Sequence, residues 1–217
     1  MKLLITGATG LIGSELVRQS VIDPDIEEII LLVRHPSEIV HPKITTVQHT
    51  DFLNYSPAKD YFKEADAIIW CLGISQTQVS RKKYEIITYD YLQACVRFCE
   101  VIHPSIRFIF VSGDGADRTG KSNVLFKRIK GKAENELLYS ALKDFFIVRP
   151  DAVNPKHKNK KAPFAYKLVY PLFSLIERFS PGHIIWSDVL GRALVSLAKN
   201  GNEKNTLENI ELRELGK

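Results

Sequence analysis

The sequence predicts an α/β protein built on a doubly wound parallel sheet with helices on both faces. Three observations support this fold. Apolar strand candidates alternate with helical stretches, the first strand runs directly into a glycine turn and a helix, and 217 residues suit one domain. We expect residues 1–217 to form a single domain in which residues 151–217 make a small lobe over the carboxyl ends of the strands. Right-handed crossovers give the expected strand order 3-2-1-4-5-6.

Short apolar runs mark the strand candidates of the core. They are Lys2–Thr6, Glu28–Arg34, Ile44–His49, Ala67–Leu72, Arg107–Ser112 and Phe145–Arg149. Helical stretches are expected between them, near Leu11–Ile22, Pro57–Phe62, Arg81–Ile102 and Asn123–Leu142. Beyond the core, Ser187–Asn200 is predicted to be a helix that Ser187 caps and Gly201 ends.

The composition excludes several classes of protein. No apolar run approaches the roughly 20 residues needed to cross a bilayer, so no membrane span is expected. Cys71, Cys95 and Cys99 form an odd, sparse set, which argues against a disulfide framework and favours a reducing, cytoplasmic location. Cys95 and Cys99 would share a helix face, but no histidine pair completes a zinc set, so no metal site is expected.

The charge balance is mildly basic, with a formal net charge of +5 and a pI near 9.0. Much of the excess lies in two local runs, Lys127–Lys132 and Lys156–Lys161. An anionic cofactor explains such a bias as well as nucleic acid does, and solvated basic loops are common. We therefore expect no nucleic-acid partner.

The opening segment MKLLITGATGLIG carries the strongest functional signal, with glycines three residues apart between an apolar strand and a helix. Gly7 allows a tight turn, Gly10 lets backbone N–H groups approach a pyrophosphate, and Gly13 lets the helix pack against the strand. The free donors of the helix N-terminus then favour phosphate. This arrangement predicts the dinucleotide site of a Rossmann fold. The residues expected at the pyrophosphate are Gly7, Thr9, Gly10, Leu11, Ile12 and Gly13.

The end of the second strand bears on the choice of cofactor, because it should lie beside the adenosine ribose. An acidic residue there would favour NAD, but this chain has Arg34, whose guanidinium matches a 2′-phosphate. NADP is therefore favoured over NAD, although Arg34 could also be an ordinary surface residue. Asp51 and Phe52 follow strand three, where a carboxylate could accept from the adenine amino group. Cys71–Gly73 ends strand four where the cofactor ribose should pass.

Taken together, these motifs resemble the atypical short-chain dehydrogenase/reductases, in particular the group of the HIV Tat-interacting protein. The likeness covers nearly the whole chain. The matching segments are the glycine turn, Leu32-Val33-Arg34, Asp51-Phe52, Cys71-Leu72-Gly73, Val111-Ser112, Lys130-Gly131, Arg149-Pro150 and Leu215-Gly216-Lys217.

The resemblance implies roles for individual residues. The glycine turn would hold the pyrophosphate, Arg34 the 2′-phosphate, and Asp51 and Phe52 the adenine end. Lys130 would hold the nicotinamide ribose, and the backbone after Pro150 would pass the carboxamide. This family's chemistry uses a serine after strand five and a tyrosine four residues before a lysine. Ser112 and Lys130 occupy the serine and lysine positions and are the catalytic candidates, but Phe126 occupies the tyrosine position.

A phenyl ring has no proton to give, and general acid–base help is typically worth roughly a hundredfold to ten-thousandfold in rate. One hypothesis is an NADP-dependent oxidoreductase acting on a small carbonyl or alcohol with another proton donor. The other is a non-catalytic NADP(H)-binding redox sensor or regulatory protein. The candidates for a proton donor in place of the tyrosine are Tyr84, Tyr89, Tyr91, Asp114 and Asp117. Asp151 also departs from the resemblance, because glycine is usual after Arg-Pro.

The C-terminal part changes in composition after Pro150. A basic loop, residues 155–161, precedes the aromatic and leucine-rich stretch Phe164–Phe179. We expect a lobe that receives a small-molecule substrate or a protein partner, while a helix completing the core of the sheet is the alternative interpretation.

Overall fold

The computed structural model of the protein describes residues 1–35, 39–157 and 181–217. Its main feature is a parallel sheet of seven strands. The strands are β1 (Lys2–Thr6), β2 (Glu28–Val33), β3 (Ile44–Gln48), β4 (Ala67–Trp70), β5 (Arg107–Val111), β6 (Phe145–Arg149) and β9 (Thr206–Glu208). Their order across the sheet is β3-β2-β1-β4-β5-β6-β9. The predicted doubly wound fold and the order of its first six strands are confirmed.

The helices alternate with the strands as the sequence predicts. They are α1 (Leu11–Ile22), α2 (Lys59–Glu64), α3 (Arg81–Glu85), α4 (Tyr91–Ile102), α5 (Leu125–Leu138), α6 (Ser187–Asn200) and α7 (Asn209–Leu215). A π-helical turn, Ile86–Asp90, separates α3 from α4, so the long stretch predicted as one helix contains an irregular turn.

Two apolar layers cover the sheet, because successive side chains of a strand point to opposite faces. On one face Leu3 and Ile5 of β1 pack in a buried cluster with residues of α1 and α6. On the other face Leu4 lies in a second cluster, which includes the buried rings of Trp70 and Phe108. Strands buried on both faces explain the nearly continuous apolar runs in the sequence.

The edge strand β9 was missed, because its three residues contribute a single buried apolar side chain, Leu207. It pairs with β6 and places Glu208 beside Arg149. The predicted cap at Ser187 is also wrong. Helix α6 has Trp186 at its N-cap, and the Ser187 Oγ instead accepts the backbone N–H of Lys156 at 2.9 Å.

The described C-terminal residues include a second, two-stranded sheet and helix α6. Strand β7 (Ala152–Asn154) pairs in parallel with β8 (Ile184–Trp186) as a separate two-stranded sheet. Helix α6 ends at Asn200, and Gly201 follows it with a φ of 68°, so the predicted glycine stop is confirmed. The aromatic stretch Phe164–Phe179 and the lysines at 158, 160 and 161 lie outside the described residues, so the lobe stays a prediction.

Two further features are absent from the part of the chain that the structure describes. Within residues 1–35, 39–157 and 181–217, no helix has both the length and the apolar character that a bilayer crossing requires. The same residues contain no group of three or more histidine, cysteine or acidic side chains placed to bind a metal ion.

Candidate functional site

A cleft of about 530 Å³ opens at the carboxyl edge of the sheet. It brings together ten of the predicted residues: Gly10, Leu11, Ile12, Gly13, Cys71, Leu72, Gly73, Ser112, Lys130 and Pro150. Six residues not assigned to the site complete its wall: Val111, Gly113, Phe126, Asp151, Ala152 and Val153. In open α/β sheets this edge is where ligands bind. A smaller cavity beside the C-terminal end of α1, about 330 Å³, contains none of the predicted residues.

The opening turn requires its glycines for steric reasons. Gly7 has a φ of 70°, and a Cβ there would lie 2.6 Å from the carbonyl carbon of Cys71. A Cβ on Gly13 would lie 2.2 Å from the Gly7 oxygen, so the helix could not approach the turn. The Gly10 N–H closes the turn by donating to the Gly7 oxygen at 2.9 Å. Strand β1, the turn and α1 therefore form one closely packed unit.

The N-terminus of α1 offers uncommitted donors to the cleft. Gly10 precedes the helix without a side-chain cap, and no acidic residue lies in the first turn. Leu11, Ile12 and Gly13 all line the cleft. Since first-turn N–H groups have no partner within the helix, this end of the cleft carries donors and a partial positive charge. These features fit a pyrophosphate.

Five predicted cofactor residues lie outside the cleft wall. Gly7 packs against the backbone of Cys71 at the start of the turn, and Thr9 in the same turn is exposed. Arg34 is exposed after β2, and within the described residues no carboxylate forms an ion pair with it. Asp51 is exposed and accepts the Leu53 N–H at 3.0 Å.

Phe52 differs from its exposed neighbour Asp51. Its ring is 1% exposed and stacks on Tyr91, with the two centroids 5.5 Å apart. The ring is part of the core, so only the backbone of Phe52 can contribute to an adenine site.

Ser112 contacts a buried carboxylate that sequence reasoning missed. Its Oγ donates to Glu134 Oε1 at 2.6 Å, and Glu134 is fully buried. Two guanidinium groups neutralise this carboxylate: Arg149 donates to it at 2.5 and 2.8 Å, and Arg118 at 2.6 Å. The hydroxyl proton of Ser112 is therefore directed to Glu134, and the lone pairs of its Oγ remain to accept a hydrogen bond. The four-residue spacing of Phe126, Lys130 and Glu134 on α5 was the available sequence signal.

Lys130 is buried in the wall of the cleft, with 9% of its surface exposed. Its Nζ donates to the Val111 carbonyl at 2.9 Å and lies 4.8 Å from the centroid of the Phe110 ring. Burial lowers the pKa of Lys130 to about 8, against the opposing attraction of Glu134. The ammonium has further N–H groups for a ligand hydroxyl.

Phe126 lies one helical turn before Lys130, and both side chains line the cleft. A Cβ on Gly113 would lie 2.6 Å from Phe126 Cζ, so the ring packs against the backbone that follows β5. An apolar ring therefore forms this part of the cleft wall.

None of the five substitute proton donors that the sequence offers lines the cleft. Tyr84 is buried, Tyr91 is stacked in the core, and the Tyr89 hydroxyl donates to Glu136 at 3.0 Å. Asp117 organises its own loop, and the hydrogen bond from Thr119 lowers the pKa of this carboxyl. Asp114 is exposed beyond the cleft.

Asp151 lines the cleft, and its Oδ2 lies 2.7 Å from His183 Nδ1. His183 was also missed, because a single histidine after a proline and a glycine gives no pattern.

The comparisons with known proteins agree with this geometry. The fold and cleft define a nucleotide-binding domain of the Rossmann type. Residues 7–168 match the sequence profile of a family described as NAD(P)H-binding. Because the match covers more than half of the chain, the protein belongs to this NAD(P)H-binding family.

Two curated relatives and one solved structure are informative. Protein FMP52, mitochondrial, from Candida albicans is 24% identical over 73% of this chain and 69% of the relative. The protein of the same name from Lodderomyces elongisporus is 24% identical over 96% of this chain and 91% of the relative. The enzyme WbmH of Bordetella bronchiseptica, solved with NAD⁺, superposes with a TM-score of 0.70 at 17% identity, covering 95% of this chain and 74% of WbmH. That likeness shows the fold alone.

The names of the relatives correct one expectation. The cytoplasmic location is wrong by this comparison, because both relatives are named as mitochondrial proteins. Sparse cysteines argue against an oxidising compartment, but they do not distinguish one thiol-reducing compartment from another.

Proposed function

We propose that this protein is an NADP(H)-dependent oxidoreductase of the atypical short-chain dehydrogenase/reductase kind, similar to the Tat-interacting-protein group, acting on a small carbonyl or alcohol. One observation carries the proposal: a single cleft joins the free N-terminus of α1 to Ser112 and Lys130 across the carboxyl edge of the sheet. Amide donors for a phosphate and a buried ammonium in one cleft suit the pyrophosphate and the nicotinamide ribose of a dinucleotide.

The proposed roles follow the order of these residues along the sheet edge. The turn Gly7–Gly13 binds the pyrophosphate, Asp51 and the Phe52 backbone lie at the adenine end, and Cys71–Gly73 lies where the cofactor ribose passes. A Cβ on Gly73 would meet no atom within 4 Å, which leaves room beside β4. Lys130 donates to the nicotinamide ribose, and the backbone after Pro150 passes the carboxamide.

When bound, the reduced nicotinamide supplies a hydride, and the chain must supply the rest. Lys130 fixes the ribose and keeps positive charge beside the reacting oxygen. Ser112 accepts from a substrate hydroxyl, since its own proton is held by Glu134. Phe126 packs against the substrate and provides no proton.

Arg34 supports the preference for NADP. A guanidinium free of carboxylate partners in the described ranges suits a 2′-phosphate. Titrating the protein with NADPH and NADH, by calorimetry, tests this assignment. Arg34→Ala is expected to weaken NADPH roughly tenfold or more, because hydrogen bonds to charged groups contribute about 1.5–3 kcal/mol, while NADH changes little. Equal losses for the two cofactors would overturn the 2′-phosphate role.

A second candidate function is a non-catalytic NADP(H)-binding sensor, in which cofactor occupancy alters the C-terminal part and hence a partner. Phe126 favours it, because the usual hydroxyl is absent. Comparing aldehyde reduction by the wild type and by Phe126→Tyr separates the two functions. Turnover by the wild type excludes the pure sensor, and turnover by Phe126→Tyr alone supports it.

The names of the relatives also support a mitochondrial location for this chain. Fractionation of cells that express the full chain with a C-terminal tag is expected to recover it with mitochondria.

A further inference from the structure

We propose that Asp151 and His183 form a general acid–base pair, and that the imidazole supplies the proton which Phe126 lacks. This inference rests on the proposed oxidoreductase function and assigns its missing group. It differs from the motif chemistry, because the pair comes from the loop after β6 and from the short 3₁₀ turn Pro181–His183 before β8.

The geometry of the pair suits proton transfer. Asp151 belongs to the wall of the cleft, and its Oδ2 lies 2.7 Å from His183 Nδ1. A carboxylate that accepts from Nδ1–H fixes the ring and leaves Nε2 to face a reacting group. The side chain of His183 is 72% exposed, against 26% for Asp151. His183 is not itself a lining residue, and its imidazole adjoins the cleft wall through Asp151 with most of its surface exposed.

A buried asparagine holds both halves of the pair. Asn209 Oδ1 accepts the Asp151 N–H at 3.1 Å, and Asn209 Nδ2 donates to the Gly182 carbonyl at 2.7 Å. Asn209 is 7% exposed and begins α7. The Asn209 side chain bonds both to the backbone of Asp151 and to that of Gly182, which precedes His183. The fold therefore sets the distance between the Asp151 and His183 side chains.

The other candidates in the cleft wall are already committed. Four of its residues carry a side chain that can exchange a proton: Cys71, Ser112, Lys130 and Asp151. Burial raises the pKa of the Cys71 thiol to about 12, Ser112 donates to Glu134, and Lys130 donates to Val111. Of these four residues, Asp151 is the one that contacts an exposed histidine ring, that of His183.

The proton balance of a carbonyl reduction is simple. Reduction needs a hydride at the carbonyl carbon, which a bound reduced nicotinamide would supply, and a proton at the carbonyl oxygen, which the chain must supply. The π electrons of the C=O bond move to oxygen, which takes the Nε2 proton of the His183 imidazolium and becomes a hydroxyl. The neutral imidazole regains a proton from water. Asp151 accepts from Nδ1–H and fixes the orientation of the ring during the transfer.

The kinetic test uses the full chain, NADPH, and 4-nitrobenzaldehyde and cyclohexanone as probes. His183→Ala is expected to lower kcat about a hundredfold or more, with partial recovery on adding imidazole to the buffer. Asp151→Asn should give a smaller loss. The matched control is His157→Ala, which removes a half-exposed histidine that contacts Glu15 at 3.0 Å outside the cleft and should leave kcat unchanged.

A second readout does not depend on turnover. The ring ¹⁵N and ¹H NMR signals of His183, assigned by their loss in His183→Ala, should shift when NADPH binds, and those of His157 should not. In Asp151→Asn the tautomer balance of His183 should change, because the acceptor at Nδ1 is altered.

The outcomes separate this inference from the proposed function. If NADPH does not bind, the proposed function fails. If NADPH binds but the wild type reduces neither probe, the proposed oxidoreductase function fails, and the assignment of Asp151 and His183 fails with it. If the wild type reduces a probe and His183→Ala retains wild-type kcat, the assignment of Asp151 and His183 alone is overturned. Loss of kcat in His183→Ala without recovery by imidazole, combined with NMR signals insensitive to NADPH, also overturns it.

Discussion

The two ends of the cleft are built in different ways. At the phosphate end, residues Gly7–Gly13, the groups offered to a ligand are backbone N–H donors whose positions follow from the absence of side chains. At the side-chain end, the groups are Ser112, Lys130 and Asp151, each held by a partner distant in sequence. Glycine spacing specifies the first end locally, whereas the second depends on packing between elements.

Glu134→Gln should break the side-chain end most severely. Removing one charge of a buried pair typically costs about 3–5 kcal/mol, and here it leaves Arg149 and Arg118 without their shared carboxylate. We expect the free energy of unfolding in urea to fall by about 3 kcal/mol. The control Glu85→Ala breaks an exposed pair with Lys132 and should cost under about 1 kcal/mol. Equal effects would show that burial of Glu134 contributes nothing.

Lys130→Met probes the same end through pH. The pKa of Lys130 is about 8 in the folded protein, whereas an unperturbed lysine, as in the unfolded chain, has a pKa of 10.5. Below pH 8 both states hold the proton, and folding buries the charge at a cost of about 3 kcal/mol. Between pH 8 and 10.5 the folded state releases its proton first, so stability rises with pH.

The measurement is the free energy of unfolding in urea at several pH values through this window. The wild type should gain up to about 1.4 kcal/mol per pH unit relative to Lys130→Met. Lys132→Met, on the exposed side of α5, should track the wild type. A constant difference between wild type and Lys130→Met would contradict the buried ammonium.

Gly13→Ala tests the phosphate end and has the smallest expected effect on stability. Its Cβ would lie 2.2 Å from the Gly7 oxygen, and overpacking of this kind costs about 1–3 kcal/mol. The displaced turn should also weaken NADPH binding measured by calorimetry. Gly73→Ala is the matched control for stability alone, because its Cβ would meet no atom of the chain within 4 Å. Strong binding by Gly13→Ala would remove the turn from the cofactor site.

Much of the fold could be predicted because its signals are local. β1 and β6 have the predicted bounds, and the strand order of the first six strands follows from right-handed crossovers. β9 could not be predicted, because Thr206–Glu208 is too short to show a period and pairs with a strand far away in sequence. The cap expected at Ser187 failed for a related reason, since Lys156 competes for the same oxygen.

The candidate site likewise contains residues that local sequence patterns predict and residues that only the structure reveals. Ten of the predicted residues meet in one cleft because strand ends and the glycine turn share the carboxyl edge of a parallel sheet. For Glu134 the only sequence signal was its four-residue spacing from Lys130, and His183 forms no motif with its sequence neighbours. Phe126 is the residue at which the sequence most clearly departs from the resemblance.

By itself the sequence determined the first six strands, the glycine turn and the apolar layers, since backbone sterics and hydrophobic periodicity act over a few residues. Only the tertiary structure decided which charges are buried and which side chains pair. Glu134 lies 22 residues from Ser112 and Asp151 lies 32 from His183, so these contacts exist only after the sheet has assembled. Hydrogen bonds and ion pairs of this range depend on packing geometry, which no local pattern encodes.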